Sequence, residues 1–242
     1  MNAAFSDKKT FDTFIEDTSN RFALAVCKAV AEGGQAYNPL TIYGESGCGK
    51  THLLMAIREK IERAHSEKKV GYFTVESITA DFINNARKND DKTYLYGQRC
   101  LEYDVILIDE IEELKGKEGT QEETFYMINR LLCNEKTVVL ACERPLKELP
   151  VLCDRLLTRF ECGLICDISS ASRELREKYT VRMSQELDLR LNEDAIRFIS
   201  KKHKRLMTIR GELLTLRMMI GDEELGAARI KKIVQEGEKE NE

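Results

Sequence analysis

The stretch "YGESGCGKTHLL", Tyr43–Leu54, constrains the fold more than any other feature of this 242-residue chain. From Gly44 to Thr51 it reads G-x-x-x-x-G-K-T, a pattern that a chain of this length meets by accident about 1% of the time at average residue frequencies. An apolar run, "LTIY" (40–43), leads into it, and a helix-compatible run, "THLLMAIREKI" (51–61), leads out. A strand, a glycine turn and a helix in that order aim backbone N–H groups inward and add the partial positive charge of a helix N-terminus. The result is a cradle for phosphate oxygens. Gly44, Gly47 and Gly49 let the loop turn, Lys50 is spaced to reach the β- and γ-phosphates, and Thr51 to offer its hydroxyl to Mg²⁺. The stretch predicts a nucleotide site.

The rest of the chain supplies the sheet such a loop needs. Four more apolar runs, "GYFTV" (71–75), "VILID" (105–109), "TVVLA" (137–141) and "LICDI" (164–168), are β-branched or Leu-rich with little polar alternation. Runs of that kind suit strands buried on both faces. Helix-compatible segments separate them, so the expected fold class is α/β: a five-stranded parallel sheet covered by helices. After about Ser169 only helical patterns follow, with Asn192 a plausible N-cap, and "EGEKENE" closes the chain as a solvated tail. The expected division is therefore an α/β nucleotide-binding part over residues 1–168 and a small all-helical part over 169–242.

Composition narrows the classes. A net charge of −4 argues against a surface that wraps duplex DNA, while allowing a local basic groove. No apolar run approaches the roughly 20 residues of a membrane helix, and "MNAAFSDKK" carries no apolar signal core. The expected address is cytoplasmic. Eight cysteines, with no C-x-x-C pair facing another, read as small buried apolar residues in a reducing compartment. Cys48, inside the phosphate loop, carries the alternative of an oxidation-sensitive point.

Carboxylates and arginines fill in the chemistry. "YDVILIDE" ends a strand on Asp109–Glu110, which puts acids at the ligand edge of a parallel sheet. There Asp109 is suited to hold Mg²⁺ through its water shell, and Glu110 to orient or deprotonate an attacking water. "TVVLACERP" brings Glu143 and Arg144 to the same edge, either as a γ-phosphate sensor or as an exposed turn before Pro145. Arg155 and Arg159 stand four apart on one helical face. Either they pair with nearby acids, or one is a finger offered to a neighbouring subunit's nucleotide. Arg210, in "TIRGELL", is placed to reach the nucleotide of its own subunit. Arg87, Lys88, Lys92 and Arg99 with Tyr94 and Tyr96 form either a solvated helical hairpin or a single-strand contact.

Together these residues carry a resemblance. "TFDTFIEDTSNRFALAVCKAVAE" (10–32), "AYNPLTIYGESGCGKTHLL" (36–54), "VILIDEIEELKGKEGTQEETF" (105–125) and "VVLACERPLKELPVLCDRLLTRFECGLICDI" (138–168) resemble the AAA+ ATPase domain of the bacterial chromosomal replication initiator DnaA family. The likeness runs from about Thr10 to Leu216. It implies a P-loop (AAA+) domain with a C-terminal helical lid, binding ATP or ADP with Mg²⁺ and hydrolysing ATP slowly. Phosphate contacts fall to Gly47, Gly49, Lys50 and Thr51, metal and hydrolysis to Asp109 and Glu110, and the first sensor to Glu143. Arg159 matches the finger and Arg210 the second sensor, while Phe14, Ile15 and Asn20 match residues near the adenine.

The likeness further implies that ATP stacks subunits head to tail in a right-handed filament that helps open the origin. Lys117 matches a basic residue turned toward single-stranded DNA; a second basic position nearby is Gly119 here. Where the family usually has Asp, this chain has Glu110 and Glu143, which move each charge by one methylene. No stretch matches the helix-turn-helix domain that gives such initiators duplex recognition. The reading is then either an ATPase core, or a short homologue that docks on a full-length initiator and stimulates its hydrolysis; a helicase-loader ATPase is a third. "QELDL" (185–189) reads as an ordinary lid helix end, with a clamp-binding peptide as its alternative.

Overall fold

The computed structural model describes residues 8–86, 100–149, 153–219, 225–230 and 232. The basic and aromatic segment 87–99 and the tail 236–242 lie outside the described residues. Contacts group the chain into two units. One joins Lys9–Phe14 to Asn20–Ser169; the other joins Ile15–Ser19 to the part from Ser170 onward.

The larger unit is built on β1 (Leu40–Tyr43), β2 (Val70–Thr74), β3 (Val105–Asp109), β4 (Thr137–Cys142) and β5 (Leu164–Asp167). All pairings are parallel and the order is β2-β3-β4-β1-β5. The expected class and strand number hold, and every apolar run forms its strand. Boundaries shift by one residue in β2, β4 and β5, and one shift changes the element: Val75 is not the last residue of β2 but the first of helix α3 (Val75–Ala86). Ser77 ends the strand, since its hydroxyl donates to the Thr74 carbonyl while its N–H bonds the Thr74 hydroxyl. That local loop offers the backbone an alternative to the ladder.

Alternation along β3 and β4 sends side chains to two cores. Leu107, Val139 and Ala141 pack with Leu24, Cys27 and Val30 of α1 (Arg21–Ala31) and Leu54 and Ile57 of α2 (Lys50–Ala64). Ile106, Ile108, Val138 and Leu140 face the other way, onto Ile78 of α3, Met127 and Ile128 of α4 (Glu118–Cys133) and Phe160 of α5 (Asp154–Glu161). Helices thus cover both faces, which is why the strands read as apolar runs without polar alternation. Each fully buried Leu, Ile or Phe is worth about 1.5–3 kcal/mol of transfer free energy.

The smaller unit holds α6 (Arg173–Glu186), α7 (Glu193–Lys202) and α8 (Leu206–Met219). Its core is Met183, Leu187, Ala195, Ile199, Ile209, Leu213 and Leu216. Side-chain caps start two of the helices: Ser172 accepts the Leu175 N–H at 3.0 Å and Asn192 the Ala195 N–H at 2.9 Å. Arg176 ties α6 to the Ser200 carbonyl at 2.8 Å, and Glu212 on α8 pairs with both Lys202 and His203. A single parallel bridge, Leu191 to Leu225, is the one extended pairing described there. Asp17 belongs to the same unit: burial raises its carboxyl, but bonds from Ser172, Ser19 and nearby backbone N–H groups outweigh that and leave it below its ordinary value.

The cysteines depart in part from the expectation. Cys27, Cys100, Cys142 and Cys166 are buried, but Cys133, Cys153 and Cys162 are exposed; all eight are free thiols. Cys48 is half-buried, and burial raises its thiol above the usual value, which disfavours oxidation chemistry there.

Candidate functional site

The sheet order places the tip of β4 between the ends of β1 and β3, so the glycine loop, Glu143 and the acids Asp109–Glu110 meet at one edge. The loop itself needs its glycines. Gly47 and Gly49 sit at φ 81° and φ 110°, with Gly49 the left-handed N-cap of α2. A Cβ on Gly44 would stand 2.5 Å from the Ile168 carbonyl oxygen, a backbone atom with no room to yield.

Lys50 is 8% exposed and its ammonium donates to the Gly44 and Glu45 carbonyls, the second at 3.2 Å. An ammonium has three donors, so its two described bonds hold it across the loop with one donor to spare. Next to it, the Thr51 hydroxyl donates to Asp109 Oδ2 at 2.7 Å. Asp109 is 3% exposed. The Tyr72 hydroxyl donates to the same Oδ2 at 3.1 Å, and the Glu110 N–H to Oδ1 at 3.0 Å. Hard oxygen donors from one hydroxyl and one carboxylate, beside a phosphate cradle, are the kind Mg²⁺ takes when phosphates supply the rest. The residues present fit that ion.

Glu110 follows with φ 62°, a left-handed conformation rare outside glycine. Burial first, then the charges of Asp109, Glu113, Glu76 and Glu143, push its carboxyl above the ordinary value. Glu143 is exposed just beyond β4, and its backbone N–H donates to Glu112 Oε2 at 3.0 Å. Glu112, its carboxyl raised by burial and only partly eased by backbone N–H bonds from itself and Glu143, is a member of this edge that no motif marks. Two others escape notice in the sequence. Tyr72 lies in the middle of a strand, and His52 follows the loop, where its Nε2 meets the Thr10 carbonyl at 2.8 Å. The Thr13 hydroxyl stands 3.2 Å from the same nitrogen. The Phe14 ring stacks edge-on against His52, with centroids 5.2 Å apart, and covers Gly49.

The remaining predicted residues fall as follows. Asn20 is buried at the N-cap of α1 without a side-chain cap bond, and Ile15 belongs to the helical unit. Arg155 lies over the Phe125 ring at 4.6 Å, a cation–π contact that gives it a structural partner. Arg159 is half-exposed, and no acid among the described residues pairs with it. Leu156 and Phe160, fully buried, fix the helix that presents it. Arg210 lies on α8 in the helical unit, where its charge reaches Tyr179. Lys117 pairs with Glu113 at 3.9 Å, one turn before it.

A glycine loop after one strand and a buried acid two strands away mark the P-loop class of nucleotide-binding α/β proteins, and this chain is of that class. Comparison with known proteins refines it. The chain belongs to the bacterial DnaA ATPase domain family, whose model matches residues 5–167. It is 39% identical over 201 residues to the chromosomal replication initiator protein DnaA of Caldanaerobacter subterraneus subsp. tengcongensis, covering 83% of this chain and 45% of that protein. It therefore spans just under half the length of that relative. Domain III of the Thermotoga maritima replication initiation protein DnaA superposes with a TM-score of 0.86 at 26% identity, over 96% of this chain and 98% of that one. A replication initiator DnaA bound to AMPPCP and single-stranded DNA superposes with a TM-score of 0.80 at 30% identity, over 88% and 66% of the two chains.

Proposed function

We propose that this chain is an ATP-binding AAA+ module of the DnaA type, acting in the initiation of chromosomal DNA replication or its control. In this reading ATP switches head-to-tail self-assembly and is hydrolysed slowly to ADP. The observation that carries it is the Thr51 hydroxyl on the Asp109 carboxylate at 2.7 Å, beside an ammonium held across a glycine loop. Membership of the DnaA family supports the replication role and sets the helicase-loader reading aside.

The roles follow from the chemistry of each group. The N–H groups of Gly47, Gly49 and Lys50 cradle phosphate, and the spare donor of Lys50 meets the terminal phosphates. Mg²⁺, when bound, neutralises charge on the phosphate oxygens; Thr51 and Asp109 hold it. Glu110, with its raised carboxyl, takes a proton from water more readily than an ordinary carboxylate would. Glu143 senses the terminal phosphate from the tip of β4. Arg159 serves a neighbouring copy: no acid among the described residues pairs with its guanidinium, which leaves it ready for another chain's phosphate. Residues 169–242 act as the lid, carrying Arg210 to the nucleotide, and Asn20 lies by the base. Single-stranded DNA is a weak partner through Lys117, which has to leave Glu113 to serve it. The proposed address is cytoplasmic; no described helix is long and apolar enough to cross a membrane.

Lys50→Ala tests the site. Removing the loop's only side-chain cation should weaken ATP and ADP binding by about 100-fold or more, on the order of 3 kcal/mol. Calorimetric titration reads it directly, and unchanged affinity would refute the site.

A further inference from the structure

Asp109 accepts three hydrogen bonds among the described residues, and only two were to be expected from the nucleotide-site pattern. Thr51 and the following N–H of Glu110 are motif neighbours. The third donor, Tyr72, comes from a different strand. Parallel pairing sets Tyr72 opposite Leu107 and Thr74 opposite Asp109. Side chains two apart share a face, so Tyr72 and Asp109 emerge on the same side, and the phenol reaches Oδ2 at 3.1 Å. The ring is half-buried against the core under α2, which fixes its direction.

Counting lone pairs shows what this does. A carboxylate offers about four acceptor positions, two on each oxygen. Thr51 and Tyr72 occupy both on Oδ2, while the Glu110 N–H takes one on Oδ1. One position is left, on Oδ1. Without the phenol, Oδ2 would have an open acceptor in a pocket where Asp109 is 3% exposed, and the carboxylate could rotate to use it.

We propose that Tyr72 is a positioning residue for the metal site: its hydroxyl, with that of Thr51, saturates Asp109 Oδ2 and so commits Oδ1 to the hydration shell of Mg²⁺. The inference rests on the nucleotide-binding reading above. Outer partners of this kind orient the groups that hold a metal, and their loss typically costs 10–100-fold in metal affinity.

Tyr72→Phe removes one oxygen atom and keeps the ring. In the full chain with ADP, Mn²⁺ titrated by electron paramagnetic resonance should bind about tenfold more weakly in Y72F than in the wild type. Metal-free ADP affinity, measured in EDTA, should be the same in both. A purely structural role would shift both readings together, or neither. Equal Mn²⁺ affinity in the two proteins would overturn the proposal while leaving the nucleotide site standing. Failure of the wild type to bind ADP at all would remove the reading beneath it. A measurement on the wild type alone holds even if the variant misfolds. Mn²⁺ with ADP should broaden the ring resonances of Tyr72 before those of Tyr37, Tyr126 or Tyr179, and a sharp Tyr72 signal would also overturn the proposal.

Discussion

Glu110 shows how much one residue's backbone can decide. Its left-handed φ of 62° costs about 1 kcal/mol or more for a residue with a Cβ, and such outliers persist where the surroundings over-determine them. Here the turn puts the Glu110 N–H on Asp109 Oδ1, while burial first and then the charges of Asp109, Glu113, Glu76 and Glu143 raise its carboxyl above the ordinary value. Glu110→Gln keeps the shape and removes the base. Single-turnover phosphate release should fall by about 100-fold or more, with ATP affinity by calorimetry unchanged; undiminished release would contradict the assignment. Residues of this kind were partly legible. Lys50, Thr51 and Asp109 stand out because their spacing along the chain is the chemistry. Tyr72 and Glu112 do not, because each reaches the site through pairing between distant segments, 37 and 31 residues apart.

Among the elements, apolar runs announced all five strands because burial on both faces removes polar alternation. Their order was not legible, since a run's composition carries no information about its neighbour. That order matters, for it alone sets β4 between the loop and the acids. The end of β2 was misjudged at Val75, where a Thr74–Ser77 exchange of hydrogen bonds outcompeted a β-branched propensity. Asn192 behaved as expected, its side chain closing the first turn of α7. Asn192→Ala should destabilise the helical unit by about 1 kcal/mol. Native-state hydrogen exchange should show faster opening at Ala195 and Ile196, with amides of β3 and β4 unaffected; uniform protection across both units would refute the capping role.

For the whole molecule, a net charge of −4 and a half-exposed arginine with no acidic partner among the described residues point the same way. Both fit the proposed contact between copies, in which one chain's guanidinium meets another's phosphates, better than a surface that wraps a duplex. Arg155 and Arg159 looked equivalent as a helical pair. The structure separates them, because Arg155 lies over Phe125 and Arg159 does not share that contact. The account's central claim, an ATP-switched assembly through Arg159, is tested most directly by sedimentation velocity of the wild type and Arg159→Ala in Mg-ATP and in Mg-ADP. The account predicts oligomers of the wild type in ATP alone, and monomers of Arg159→Ala in both nucleotides although each still binds. Wild-type sedimentation that is the same in ATP and ADP, or assembly undiminished by the loss of Arg159, would contradict it.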